Sequence, residues 1–129
     1  MKKRIYYYDT DCGGVVYYAN YLKYLEEART EYFEARGVFV KDILSQGIGF
    51  VVARQEIDYK YPAVYDDVLE IKARVDRISR ASMEFEYDIV NQAGKLISKA
   101  KTVLVFVDKN LKPRAIPEDI KAKLAACDG

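Results

Sequence analysis

Two carboxylates and two glycines crowd into Asp9-Thr10-Asp11-Cys12-Gly13-Gly14, immediately ahead of a segment with helical periodicity. A loop that bends back onto a helix N-terminus meets free backbone N–H groups and the positive end of the helix dipole. Those donors polarise a carbonyl. An aspartate beside them supplies the complementary group of acyl-transfer chemistry, a base or a nucleophile facing an oxyanion-stabilising donor. The same acids serve equally well as turn residues that accept backbone hydrogen bonds, and spacing alone does not choose between the two.

The chain contains no histidine. That excludes Ser-His and Cys-His nucleophilic pairs, a histidine general base and every histidine-containing metal site, so acid–base work falls to Asp, Glu, Lys, Tyr or Cys. Gly13-Gly14 and Gly47-Ile48-Gly49 fit neither nucleotide-binding glycine pattern. With 21 basic and 20 acidic residues, nothing attracts nucleic acid or an anionic membrane in bulk. Several of the 12 tyrosines fall on apolar faces of the helix and strands, which suits packing better than base stacking. Cys12 and Cys127 are too few for a disulfide framework. Met1-Lys2-Lys3-Arg4 leads into no apolar signal core, and no stretch approaches the roughly 18 apolar residues of a membrane span. A cytoplasmic protein is expected.

The elements that position the loop follow from periodicity. At 129 residues, half of them apolar, the chain suits one domain spanning residues 1–129. Residues 2–8 read as a short strand. From Tyr18 to Arg36, Tyr21, Leu25, Ala28 and Tyr32 recur at helical spacing, widened by Leu22 and Phe33, and Gly37 caps the end. A shorter helix is expected over Val40 to Gln46. The period then becomes alternating: Val51, Ala53, Ile57, Tyr59 and Tyr61 oppose Arg54, Glu56, Asp58 and Lys60, and Leu69, Ile71, Ala73 and Val75 form the apolar side of the next strand. Met83, Phe85, Tyr87 and Ile89 give a third. Asn91 to Gly94 turns into a fourth near Lys95, ending in Val103-Leu104-Val105-Phe106-Val107, apolar on both faces and so central or covered by a partner. Pro117 opens a C-terminal helix. The fold class is α+β, with one long helix against a curved antiparallel sheet of about five strands. One helix covers too little of such a sheet, which predicts a homo-oligomer.

The run Asp9-Thr10-Asp11-x-x-Gly14-x-Val16-Tyr17-Tyr18-x-Asn20-Tyr21, continuing into Leu25-Glu26-Glu27-Ala28-Arg29, resembles the signature of the hydroxybenzoyl-CoA thioesterase and Tol-Pal-associated acyl-CoA thioesterase family of hot-dog proteins. Tyr65-Asp66-Asp67-Val68-Leu69 and Pro113-Arg114-Ala115-Ile116-Pro117 extend the likeness over the chain. The resemblance implies hydrolysis of an acyl-CoA thioester, Asp11 as general base or nucleophile, and the Tyr18 backbone N–H as the group polarising the carbonyl. It places Gly14, Asn20 and Tyr21 against substrate, and Arg77 and Arg80 at the coenzyme A phosphates, although Ser79 and Ala81 depart from the family's basic cluster. It implies no metal and no cofactor apart from the coenzyme A of the substrate, and a dimer or dimer of dimers joined sheet edge to sheet edge. Asp9 reads as a scaffold residue. Cys12 lacks a partner base and reads as a bystander. The rivals are a thioesterase for acyl carrier protein esters and a non-catalytic acyl-CoA-binding or scaffold protein.

Overall fold

The computed structural model describes residues 1–126; Cys127 lies outside the described residues. Five strands form one antiparallel sheet in the order β1-β3-β4-β5-β2, with β1 Lys2–Arg4, β2 Gly49–Tyr59, β3 Val68–Ile78, β4 Ser82–Val90 and β5 Leu96–Val107. Helices α1 (Asn20–Ala35), α2 (Val40–Ser45) and α3 (Glu118–Ala126) complete it.

The core lies between α1 and one sheet face. Alternation in β4 turns Met83, Phe85, Tyr87 and Ile89 inward, each at most 1% exposed. From α1, Tyr32 and Phe33 meet the Phe85 ring edge-on at 5.3 and 5.4 Å, and Phe33 stacks on Phe50 of β2 at 5.5 Å. Gly37 ends α1 at φ +79°, where its N–H reaches the Glu34 carbonyl and the Val38 N–H reaches that of Phe33. This double bond pattern is the glycine stop expected from sequence.

The outer face is wet and charged. Arg74 of β3 pairs with Glu86 and Asp88 of β4, at 2.9 and 3.4 Å, and Lys99 of β5 reaches Asp88 at 3.5 Å. Such cross-strand pairs fix neighbours and register more than they stabilise.

Three expectations need correction. The N-terminal strand stops at Arg4, because Ile5 turns into the core and Tyr7–Asp9 form a 3-10 turn closed by the Asp9 carboxylate on the Tyr6 N–H. Helix α1 starts at Asn20, not Tyr18. Tyr18 and Ala19 form a tight turn whose carbonyls accept from Tyr21 and Leu22. In β2 a bulge between Val52 and Arg54 moves Val51 to the outer face opposite Val105, while Gln55, Ile57 and Tyr59 stay inside. The doubly apolar end of β5 does lie inside the sheet, yet Val103 and Val105 remain half-exposed on the outer side.

Candidate active site

The loop ahead of α1 is a small hairpin. Thr10 bridges Val16, the Asp11 N–H donates to the Val15 carbonyl at 2.9 Å, and the Gly14 N–H returns to the Asp11 carbonyl at 3.0 Å. Gly14 sits at φ +80° with open space where a Cβ would stand, so backbone conformation rather than crowding requires glycine there. Gly13 is constrained differently. Its N–H donates to Asp11 Oδ1 at 2.8 Å, and a Cβ at Gly13 would come within 3.2 Å of that same oxygen.

The two aspartates have opposite environments. Asp9 is buried, with Oδ2 accepting from the Tyr6 N–H at 2.8 Å and Oδ1 from the Tyr24 hydroxyl at 2.9 Å. Its carbonyl takes the Asn20 side-chain amide at 2.9 Å and the Tyr17 N–H at 3.0 Å. Asp9 therefore ties the loop to α1, buried and with both carboxylate oxygens already accepting a bond. Burial, and then the Asp9 contact, push the Tyr24 phenol well above its ordinary range. Asp11 is exposed at the loop tip, and among the described residues nothing hydrogen-bonds its Oδ2. One acid is structural and the other is available.

Tyr18 lies in the turn leading into α1. Its carbonyl accepts from the Tyr21 N–H and the Tyr59 hydroxyl, each at 3.3 Å, whereas no acceptor among the described residues takes its N–H. Among the described residues no side chain caps this end of α1. The unpaired donor and the helix dipole thus remain available to an incoming carbonyl oxygen. An open groove adjoins it, lined by Val15, Val16, Tyr18, Tyr21, Tyr59 and Tyr61. Tyr21 is buried at its base, edge-on to Tyr59 at 5.5 Å and to Tyr24 at 5.9 Å. Tyr24 and Tyr59 were not singled out as site residues. Tyr24 could have been found from its place three residues after Tyr21 on the same helix face; Tyr59 carries no comparable signal.

Tyr18 and Tyr21 line the groove, Asp11 and Gly14 belong to the hairpin whose Val15 and Val16 also line it, and Asn20 opens α1 with its amide committed to the Asp9 carbonyl. Arg77 and Arg80 lie elsewhere. Val15 bridges Val64 near the start of β3, while Arg77 and Arg80 flank the turn at its far end, about 33 Å away along an extended strand of this length. A group of three carboxylates, Asp76, Glu84 and Glu86, stands on the outer face. Lys101 and Arg74 already pair with Glu84 and Glu86.

An antiparallel sheet of five strands set against one long helix is the hot-dog architecture. A family model described as the thioesterase-like superfamily matches residues 6–124, and the chain belongs to that superfamily. Among curated relatives, the acyl-CoA thioester hydrolase YbgC of Escherichia coli O6:H1 is 38% identical, with 93% of this chain and 90% of that protein covered. The acyl-CoA thioesterase YbgC of Haemophilus influenzae is 39% identical, over 92% and 88% of the two chains. A solved DHNA-CoA thioesterase from Staphylococcus aureus superposes with a TM-score of 0.91 at 27% identity, covering 98% of this chain and 89% of the other.

Exposed Cys12 sits between Asp11 and Gly13 with no hydrogen-bonding partner among the described residues. Cys12→Ala is expected to retain most of the hydrolytic rate, measured as thiol release from an acyl-CoA. Loss of activity with the fold intact would make Cys12 the nucleophile.

Proposed function

We propose that this protein hydrolyses acyl-CoA thioesters to free acid and coenzyme A. The observation that carries this is the contrast between Asp9, whose two carboxylate oxygens each accept a bond, and Asp11, exposed with a free oxygen in the same loop-to-helix segment as the unpaired Tyr18 N–H. The Tyr18 N–H receives the thioester oxygen and stabilises negative charge as the carbonyl becomes tetrahedral. Asp11 either takes a proton from attacking water or attacks the carbonyl carbon itself, and the coenzyme A thiolate departs. Both routes use these same two groups. No metal or cofactor enters the reaction, so turnover is expected to continue in EDTA; loss restored by zinc would contradict this.

The enzyme works as a homo-oligomer in the cytoplasm. Supporting this, β2 is a full-length edge strand with one unpaired side, and Val51, Val52 and Tyr59 on it are 39%, 51% and 52% exposed. Such an edge invites pairing with a second copy. Arg77 and Arg80, too distant from Asp11 in their own subunit, meet coenzyme A phosphates from the partner. Sedimentation at micromolar concentration is expected to show a dimer or tetramer. A single species at the 14.8 kDa of one chain would overturn the shared-site arrangement.

The substrate carrier is tested directly by comparing kcat/KM for one acyl group on coenzyme A and on acyl carrier protein. Preference for the coenzyme A ester supports the proposal; strong preference for the protein-bound ester replaces the substrate.

A further inference from the structure

The two adjacent glycines of the hairpin differ in what they are for. Gly14 is left-handed, whereas the φ of Gly13 lies outside that region, so backbone conformation does not require a glycine at position 13. Crowding by the fold does not require one either. Apart from its chain neighbours, a Cβ at Gly13 would meet one atom of the described residues within 4 Å, and that atom is Asp11 Oδ1 at 3.2 Å. The separation is tighter than ordinary van der Waals contact. The missing side chain therefore makes room for the Asp11 carboxylate and for nothing else.

That carboxylate has few other constraints. The main chain at Asp11 is fixed from both sides, since its N–H donates to the Val15 carbonyl at 2.9 Å and its own carbonyl accepts from the Gly14 N–H at 3.0 Å. These bonds, with the Thr10–Val16 bridge, close the hairpin without any help from the Asp11 side chain. The side chain itself is exposed at the tip, where χ1 and χ2 are free to turn. Among the described residues one hydrogen bond restrains them, from the Gly13 N–H to Oδ1 at 2.8 Å. Such a bond from an N–H to an ionised oxygen is among the stronger kinds. Both oxygens share one planar carbon, so pinning Oδ1 also limits where Oδ2 stands. Gly13 thus acts twice on the same oxygen, drawing it in with the N–H and leaving it space by lacking a Cβ.

Resting on the thioesterase reading above, we propose that Gly13 is a positioning residue for the reaction, holding the Asp11 carboxylate in one orientation with Oδ1 engaged and Oδ2 presented for chemistry. The orientation matters whether Asp11 takes a proton from water or attacks the carbonyl carbon, because a reacting group displaced by about 1 Å can lose ~100-fold in rate. A methyl group added at position 13 turns the carboxylate away. The exposed side chain yields more readily than a hairpin closed by its own backbone bonds.

The test compares wild type, Gly13→Ala, Asp11→Ala and the double variant by thermal melting and by thiol release from an acyl-CoA that the wild type hydrolyses. Gly13→Ala is expected to melt at or above the wild-type temperature, since alanine at a position free of left-handed strain restricts the unfolded chain. Its kcat is expected to fall ~10-fold or more with KM little changed, the signature of an interaction that serves the transition state. In the Asp11→Ala background the same substitution is expected to lower the residual rate no further, because the carboxylate through which it acts is gone. An unchanged kcat in Gly13→Ala overturns the assignment. So does a rise in KM alone, which would make Gly13 a place where substrate passes, or a rate loss that recurs in full without Asp11. Failure of Gly13→Ala to fold would show that the hairpin itself requires the glycine and likewise overturns it. In each of these cases hydrolysis by the wild type stands. Absence of thiol release from every acyl-CoA would overturn the thioesterase reading, and the role of Gly13 with it.

Discussion

Asp11→Ala is expected to stay folded and oligomeric, to bind acyl-CoA, and to lose at least ~100-fold in kcat. The Asp11 carboxylate holds only the Gly13 N–H within an exposed turn, so its removal costs about 1 kcal/mol of stability or less. Its loss from a reacting thioester is another matter. A carbonyl held by the Tyr18 N–H alone is polarised but has neither an activated water nor a carboxylate nucleophile to attack it, and a positioned base contributes ~10²–10⁴-fold. Circular dichroism and sedimentation establish the fold, and thiol release under saturating substrate gives the rate. Turnover within a few-fold of wild type would remove Asp11 from the chemistry and favour the binding-protein reading.

Asp9→Ala is expected to act in the opposite order, on stability first and on rate as a consequence. Its carboxylate is buried and accepts two donors that no water can replace, so truncation strands the Tyr6 N–H and the Tyr24 hydroxyl and costs about 3 kcal/mol. For a chain of this length that is a fall in Tm of roughly 10 °C. Asp9→Asn keeps one acceptor and loses less. The partnership also has an alkaline signature. Burial and Asp9 raise the folded-state pKa of Tyr24 above its ordinary 10.0, so the stability it contributes is complete below pH 10.0 and is lost as pH rises toward the folded-state value. Tyr24→Phe should flatten that alkaline decline in a thermal-melt series. A wild-type melting profile with no such dependence, or an Asp9→Ala variant as stable as wild type, would show that the loop is anchored by something else.

The contrast between these two acids shows what the sequence carried and what it did not. The role of Asp9 as scaffold was legible from the likeness of the loop, but its means were not, because Tyr24 acts across fifteen residues through a contact that only the packed helix creates. Alternation in β3 and β4 identified the inner residues, since each of those strands has a neighbour on both sides and buries one face in the core, whereas the end of β5 read as apolar on both faces and did not tell its inner side from its outer. Edge strand β2 misled for the same physical reason: with little burial to enforce its pattern, the bulge after Val52 passed unseen and Val51 was assigned to the wrong face. Helix α1 was placed two residues early because the tight turn at Tyr18 and Ala19 carries the same side-chain period as the helix it precedes. The shift leaves the Tyr18 N–H as unpaired in the turn as it would be in the first turn of a helix. The hydrogen-bonded run from Arg29 through Tyr87 and Thr102 to Gln55 has no signal in the sequence, being assembled from four separate elements.

The central claim is hydrolysis at Asp11, and thiol release by the purified protein tests it most directly. With a panel of short aliphatic, aromatic and longer-chain acyl-CoA esters in the presence of EDTA, the expected result is saturable, multiple-turnover appearance of free coenzyme A for at least one ester, slowed at least ~100-fold in Asp11→Ala. Saturable binding of these esters with no thiol released, or release that persists undiminished in Asp11→Ala, would contradict it.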